Sequence, residues 1–214
     1  LKYRPVVNAM DTPSTGLCRL LNDVLHPILD RIQAHIPSTD EFIKDIGSVK
    51  LADGEVFGSL DVTNLYGSIP LTGDGNVFDV VMQYFEKFRQ YLIFEDMQVQ
   101  DFGALLHLAL ESDIINIGGE IHKQVNGIAM GNNLSPTVAI LYMDFIEIQI
   151  QQAVSVRVWK RYRDDVLFIS SCSAEDLLQA ANAVHPAIQF TNEPPRGWWA
   201  SILGLMAGTE ARQT

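Results

Sequence analysis

Three short segments carry side chains whose types and spacing suit chemistry. The first is Gly58-Ser59-Leu60-Asp61-Val62-Thr63-Asn64-Leu65-Tyr66-Gly67-Ser68-Ile69-Pro70, where an aspartate leaves a β-prone run and an aromatic follows five residues later. Taken alone, Asp61 also fits a turn or helix-cap residue. The second is Lys160-Arg161-Tyr162-Arg163-Asp164-Asp165-Val166-Leu167-Phe168-Ile169, two adjacent acids between apolar runs. Adjacent carboxylates repel, and tight hairpin turns favour Asn-Gly or Asp-Gly, so an Asp-Asp tip points to cation binding, with a solvated turn as the plain alternative. The third is Gln124-Val125-Asn126-Gly127-Ile128-Ala129-Met130-Gly131-Asn132-Asn133-Leu134-Ser135-Pro136. It reads as a glycine-punctuated loop opening a helix, either an ordinary connection or a place where backbone approaches a ligand closely. Three carboxylates from two strands are the donor set of two-metal phosphoryl transfer, because Mg²⁺ takes oxygen ligands and retains waters and substrate phosphates.

These residues need elements to position them. Val56 to Val62 is bounded by Gly54 and the Gly67-Ser68-Ile69-Pro70 turn, and its β-branched and aromatic content predicts a buried strand ending near Asp61. Val154 to Tyr162 and Val166 to Ser170 flank Arg163-Asp164-Asp165 as a hairpin, and Ala187 to Thr191 reads as a last short strand. Apolar residues at helical spacing predict helices over Ser14 to Ile36, interrupted by Pro27, over Asp74 to Leu92, and over Asp101 to Leu110. Ile114 to Ile117 and Glu120 to Gln124, joined by Gly118-Gly119, read as a second hairpin. Ser135 with Pro136 predicts an N-cap, and Leu134, Val138, Leu141, Phe145 and Ile148 the buried face of the helix it opens. Ser173 caps a helix to Val184.

In this order the three segments resemble the reverse transcriptase palm, and their wording resembles the Penelope-like retroelements, relatives of telomerase reverse transcriptase. The residues that carry the resemblance are Leu-Asp-Val-Thr-x-Leu-Tyr-x-Ser-Ile-Pro, Gln-x-x-Gly-x-Ala-Met-Gly-x-x-Leu-Ser-Pro and Arg-Tyr-x-Asp-Asp. Arg4-Pro5-Val6-Val7 resembles the entry segment of the family's fingers, and Ile188-Gln189-Phe190-Thr191-Asn192-Glu193 the strand after its catalytic hairpin. The resemblance implies an α+β fold: a palm with an antiparallel sheet covered by helices, plus part of the fingers, the thumb absent. Residues 1–54 are then partial fingers, 55–193 palm, and 194–214 an atypical tail, since Pro194-Pro195-Arg196-Gly197-Trp198-Trp199 departs from the family pattern.

The resemblance also implies roles. Asp61, Asp164 and Asp165 match the catalytic acids, and with Val62 they match the binding positions of two Mg²⁺ ions, with Mn²⁺ as an alternative. Tyr66 matches the aromatic that excludes a 2′-hydroxyl, and Val62, Gln124, Gly127, Met130 and Gly131 match substrate-binding positions. Arg4 would touch the triphosphate. The activity implied is RNA-directed DNA polymerisation within a retroelement, with an RNA template, a DNA primer and deoxynucleoside triphosphates as partners. Its place is intracellular, and nuclear when acting on chromosomal DNA. Two other readings stay open: a catalytically silent remnant serving as a binding domain, and another palm-type nucleotidyl transferase, for which Tyr66 and the glycine loop have no evident use.

The composition sets limits on these readings. The chain has 214 residues, 47% of them hydrophobic, enough for one well-buried domain or two small ones. Two cysteines, Cys18 and Cys172, support neither a disulfide framework nor a zinc cluster. The five histidines lack metal-ligand spacing. The most apolar stretch, Leu134 to Ile150, is interrupted by Asp144 and Glu147, which predicts no membrane span. A first residue other than Met fits a start inside a longer reading frame. Fifteen Lys+Arg against 26 Asp+Glu, a net charge of −11, argue against a large phosphate-binding surface. The one dense basic cluster is Arg157, Lys160, Arg161 and Arg163, which reads either as a nucleic-acid contact or as a solvated strand face balancing nearby aspartates. Trp159 beside it reads as core rather than as a base-stacking platform.

Overall fold

A computed structural model describes residues 12–46, 49–94, 96–111, 114–117 and 119–192. They form two compact units that interleave along the chain, one made of residues up to Gln33 with Asn64–Phe145, the other of Ala34–Thr63 with residues from Ile146 on. The class is α+β, as the sequence predicts.

The second unit holds an antiparallel sheet of β1 (Val56–Val62), β4 (Val156–Tyr162), β5 (Asp165–Ser170) and β6 (Phe190–Asn192), in the order β4-β5-β1-β6. The central strand β5 is buried from Val166 through Ser170, which explains why it reads as a continuous apolar run rather than an alternating one. β1 is its neighbour in register Leu60↔Val166 and Asp61↔Asp165. Gly58 lies directly over the Phe168 ring, where a Cβ would come within 2.6 Å of it. Helix α2 (Thr39–Ile46) brings Phe42 and Ile46 with Ile36 onto Leu167, Val158 and Tyr162. Helix α7 (Ala174–Val184) packs on β1 and β6, and the Ser173 side chain caps it by accepting from the Asp176 N–H, as predicted. The last strand lies slightly later than predicted, because Asn182 bonds both backbone groups of Phe190 and fixes where pairing begins.

The first unit is helical. Helix α1 (Thr15–Leu29) buries Cys18, Leu21, Val24, Leu25, Ile28 and Leu29 and runs through Pro27, where the sequence predicts an interruption, but ends at Leu29 rather than reaching Ile36. Helix α3 (Leu65–Ser68) is a single turn. Helix α4 (Val77–Lys87) starts three residues later than Asp74, since the Asn76 side chain accepts from the Phe78 and Asp79 N–H groups and caps it there. Helix α5 (Val99–Glu111) packs on α4 with Phe85 and Phe102 stacked, ring centroids 3.9 Å apart. Strands β2 (Ile114–Ile117) and β3 (Glu120–Lys123) form the predicted second hairpin.

Helix α6 (Ser135–Ala153) runs from the first unit into the second. Two predictions about it are corrected. Ser135 is already helical and its buried hydroxyl caps nothing, while just before the helix the Asn132 side chain accepts from the Leu134 N–H at 2.9 Å. The helix is not buried along one face: Ala139, Tyr142, Met143, Ile146, Glu147 and Ile150 are buried as well as the predicted Leu134, Val138 and Leu141, whereas Ile148 is exposed. A helix enclosed on most sides shows little periodicity, so the stripe is a poor guide to its contacts. Among the described residues, no helix is long and apolar enough to cross a membrane.

Candidate functional site

The chain places the sequence-derived residues in two groups, one in each unit. In the sheet, Asp61 and Asp165 are paired residues on neighbouring antiparallel strands. Residues so paired project from the same face with Cβ atoms about 4.5–5.5 Å apart, so the two aspartates leave the sheet side by side. Asp164 precedes Asp165 in the loop, and its carbonyl accepts the Val62 N–H at 3.0 Å, tying the loop to the end of β1. All three acids are part-buried. The Val62 side chain is in the core, so Val62 can offer a ligand only its backbone carbonyl.

The hairpin differs from the predicted Asp-Asp tip. Tyr162 pairs with Asp165, so the two loop residues are Arg163 and Asp164, and Asp165 is the first residue of β5. Arg163 takes φ 59°, the left-handed region, in the first loop position where two-residue hairpins ordinarily use glycine. Its guanidinium lies over the Tyr162 ring, 4–6 Å being the usual cation–π range and 5.3 Å the distance here.

Of the two readings of the basic cluster, a strand face balanced by nearby acids holds for Arg157 and Lys160, and Arg161 fits neither. Arg157 forms a two-pronged ion pair with Glu55, both contacts at 2.6 Å, and these bonds hold the Glu55 carboxyl below its ordinary range. Lys160 pairs with Asp45 at 3.3 Å. Arg161 is wholly buried at 0% exposure and bonds Glu147 of α6, also 0% exposed, at 2.7 Å. Three of the four cations are therefore matched by acids within the same unit, and Arg161 is not on a surface at all. Trp159 is core as predicted, edge-on to Phe190.

In the other unit, Asn64 leaves β1 at φ 51°, ψ 46°, and this left-handed residue turns the chain into α3, which carries Tyr66. The Tyr66 carbonyl accepts the Ile128 N–H at 2.8 Å, joining it to the glycine loop. Gly127 makes that approach possible: at φ +72°, a Cβ there would lie 2.5 Å from the Gly67 Cα and 2.6 Å from the Tyr66 carbonyl oxygen. Gln124 donates to the Asn126 carbonyl, Met130 is part-buried, and Gly131 is exposed at φ +105°. Arg4 lies outside the described residues, as does the Pro194–Thr214 tail.

Oxygen donors with repelling charges suit a hard divalent cation. The donor chemistry therefore fits the ions that the resemblance implies, while among the described residues no three His, Cys, Asp or Glu side chains gather closely enough to hold a metal ion. Sequence reading missed Glu147 as the partner of Arg161 in one unit and Asn132 as an anchor after the glycine loop in the other. Glu147 left a signal, one of two acids, with Asp144, within an otherwise apolar helical stretch, where a charge is ordinarily buried only with a partner.

Comparison with known proteins gives three kinds of finding. The family profile described as "Reverse transcriptase (RNA-dependent DNA polymerase)" matches residues 2–191. No curated protein is similar enough to count as a match. Among solved structures, the chain resembles apo telomerase of Candida tropicalis truncated from the C-terminal domain, with TM-score 0.52 and 13% identity, over 86% of this chain and 41% of that one. It resembles telomerase of Candida albicans in complex with a fragment of telomeric RNA, with TM-score 0.51 and 12% identity, over 86% and 34% of the two chains. It also resembles the BmCPV RNA-dependent RNA polymerase at elongation state, with TM-score 0.60 and 12% identity, over 90% and 19%. At these identities the likeness is one of fold, and the chain spans less than half of each of those chains.

Proposed function

The chain belongs to the reverse transcriptase (RNA-dependent DNA polymerase) family, and from that premise we propose that it is the polymerase core of a Penelope-like retroelement enzyme. Its reaction extends a DNA 3′ end on an RNA template with deoxynucleoside triphosphates. The observation that supports this reading best is the cross-strand pairing of Asp61 with Asp165, with Asp164 tied beside them through the Val62 N–H. Asp61, Asp164 and Asp165 would hold divalent ions, with the Val62 carbonyl as a further oxygen donor. Bound ions would supply charge neutralisation on the triphosphate and a more acidic 3′-hydroxyl.

The remaining work falls to this chain's own side chains. Tyr66 sets the sugar choice by sterics, its ring occupying the space that a 2′-hydroxyl needs. The Gln124 and Gly127–Gly131 segment packs on template and nascent pair, where small residues allow backbone contact. Residues 1–54 serve as partial fingers and 55–193 as palm.

A second reading, a silent remnant acting as a binding domain, draws on the internal use of Arg157, Lys160 and Arg161, which leaves little basic surface for a duplex. Primer extension separates the two. Under the polymerase reading Asp61→Ala and Asp164→Ala each abolish Mg²⁺-dependent extension while the fold persists, because nothing else supplies the lost ligand. Measurable extension by a folded Asp164→Ala variant would overturn it.

A further inference from the structure

Arg161 and Glu147 have no place in the chemistry above, yet they form a fully buried ion pair immediately beside it. Arg161 Nε donates to Glu147 Oε1 at 2.7 Å and its Nη2 to Oε2 at 3.3 Å. The third donor goes elsewhere: Nη1 reaches the backbone carbonyl of Arg163 at 3.1 Å. That carbonyl belongs to the loop residue held at φ 59°, directly before Asp164. The Arg161 backbone is itself fixed, since its N–H donates to the Ala34 carbonyl at 2.7 Å and its carbonyl accepts from the Ile36 N–H at 2.9 Å.

We infer that Arg161, aimed by Glu147, is a positioning residue that clamps the strained Arg163 carbonyl and so sets the loop that presents Asp164 and Asp165. Three physical points favour this over a merely stabilising ion pair. Burying two charges is costly, and apolar residues of similar volume often serve stability as well or better, so stability alone does not explain the pair. A guanidinium offers a planar fork plus a further donor, which allows one side chain to grip a carboxylate and a carbonyl together, whereas a lysine ammonium is a compact point charge. The carbonyl gripped belongs to a non-glycine residue in the left-handed region, a conformation that persists only where surrounding contacts impose it.

The clamp has its own reporter, because the Val62 N–H bonds the Asp164 carbonyl and its exchange with solvent follows the loop's position. The functional consequence rests on reading Asp164 and Asp165 as metal acids; the clamp itself does not. The experiment uses the full chain, comparing it with an Arg161→Met/Glu147→Leu double variant and with the same variant carrying Arg163→Gly. Three quantities are measured: the thermal midpoint, amide exchange at Val62 against the rest of β1, and Mn²⁺ binding followed by the electron paramagnetic resonance of the free ion.

The double variant should melt at or above the parent temperature, its Val62 amide should exchange about tenfold faster than in the parent while Leu60 is unchanged, and its Mn²⁺ dissociation constant should rise about tenfold. Arg163→Gly should reverse both effects, since glycine adopts the left-handed conformation without help. Unchanged Val62 exchange, acceleration spread evenly over β1, or no recovery with Arg163→Gly would each overturn the inference. If the double variant does not fold, Arg161→Lys keeps the buried charge on Glu147 without the second arm, and normal Val62 exchange in it would be equally fatal. A parent chain that does not bind Mn²⁺ would count against the metal reading and leave Val62 exchange to decide the clamp.

Discussion

The Tyr66 carbonyl and the glycine loop meet only because residue 127 has no Cβ, and replacing Gly127 with alanine measures how much that matters. Two costs add. Alanine at φ +72° pays the left-handed penalty of about 1–2 kcal/mol. Its Cβ would also stand 2.5 Å from the Gly67 Cα and 2.6 Å from the Tyr66 oxygen, both backbone atoms that cannot rotate aside. Relief needs a shift of roughly 1 Å to reach ordinary carbon contact distance, which costs about 1–3 kcal/mol in a packed region. The same shift stretches the 2.8 Å bond from the Ile128 N–H to Tyr66, worth about 1 kcal/mol. The total loss is about 3–6 kcal/mol, a large part of an ordinary domain's stability. Gly73→Ala is the control: its φ is +87°, yet a Cβ there meets nothing within 4 Å, so it should lose only about 1–2 kcal/mol. Urea unfolding of the parent chain and the two variants checks this, read as midpoints at constant slope. Equal losses at the two positions would refute the close approach and free Gly127 from any role in seating Tyr66.

Further outcomes follow from other residues. Tyr66→Val should raise ribonucleotide relative to deoxyribonucleotide incorporation, and an unchanged ratio of efficiencies would make Tyr66 a packing residue. Burial pushes the Tyr142 phenol from its ordinary 10.0 up to about 12, so its contribution is intact below pH 10 and is lost as pH rises from about 10 to about 12. The thermal midpoint should therefore fall over that interval, and Tyr142→Phe, which loses the 2.9 Å bond to the Gly75 carbonyl, should start lower and fall less steeply. With a net charge of −11, and with Arg157, Lys160 and Arg161 already paired with Glu55, Asp45 and Glu147, residues 1–214 should bind primer–template weakly. That binding should collapse between low and physiological salt in a titration, and a thumb fused after Glu193 should restore it; tight binding by this chain at physiological salt would refute the charge argument.

How much of this was legible beforehand depends on the range over which each feature is decided. The bounds of β1 matched the expected Val56–Val62 because glycine and turn residues next to the strand stop it. The pairing of β4 with β5 as a hairpin and the Ser173 cap are legible for the same reason, since their signals lie within a few residues. Features decided by tertiary partners were not. The end of α6 looked like Ser135-Pro136, but the N–H of Leu134 found the Asn132 side chain, whose amide also reaches the Ala109 carbonyl at 3.4 Å, 23 positions away. The sequence predicts an Asp-Asp tip, because it does not reveal that an arginine can be held where glycine is usual.

The basic cluster carries this furthest. Arg157, Lys160 and Arg161 sit within five positions and look like one surface, yet β4 alternates its side chains between faces and the three have different fates. Lys160 and Val158 share the face that α2 covers, which takes Lys160 to Asp45. Arg161 projects from the opposite face with Trp159, and α6 meets it there with Glu147, an acid 14 residues earlier whose apolar surroundings signal a buried partner without saying which one. A charge count treats these residues as available cations; strand period and helix packing decide that one of them is an internal strut. Each pair takes an acid out of play with its cation, so the net charge of −11 is set by composition, and under the polymerase reading the positive charge that holds a nucleic acid backbone has to come from cations other than these three.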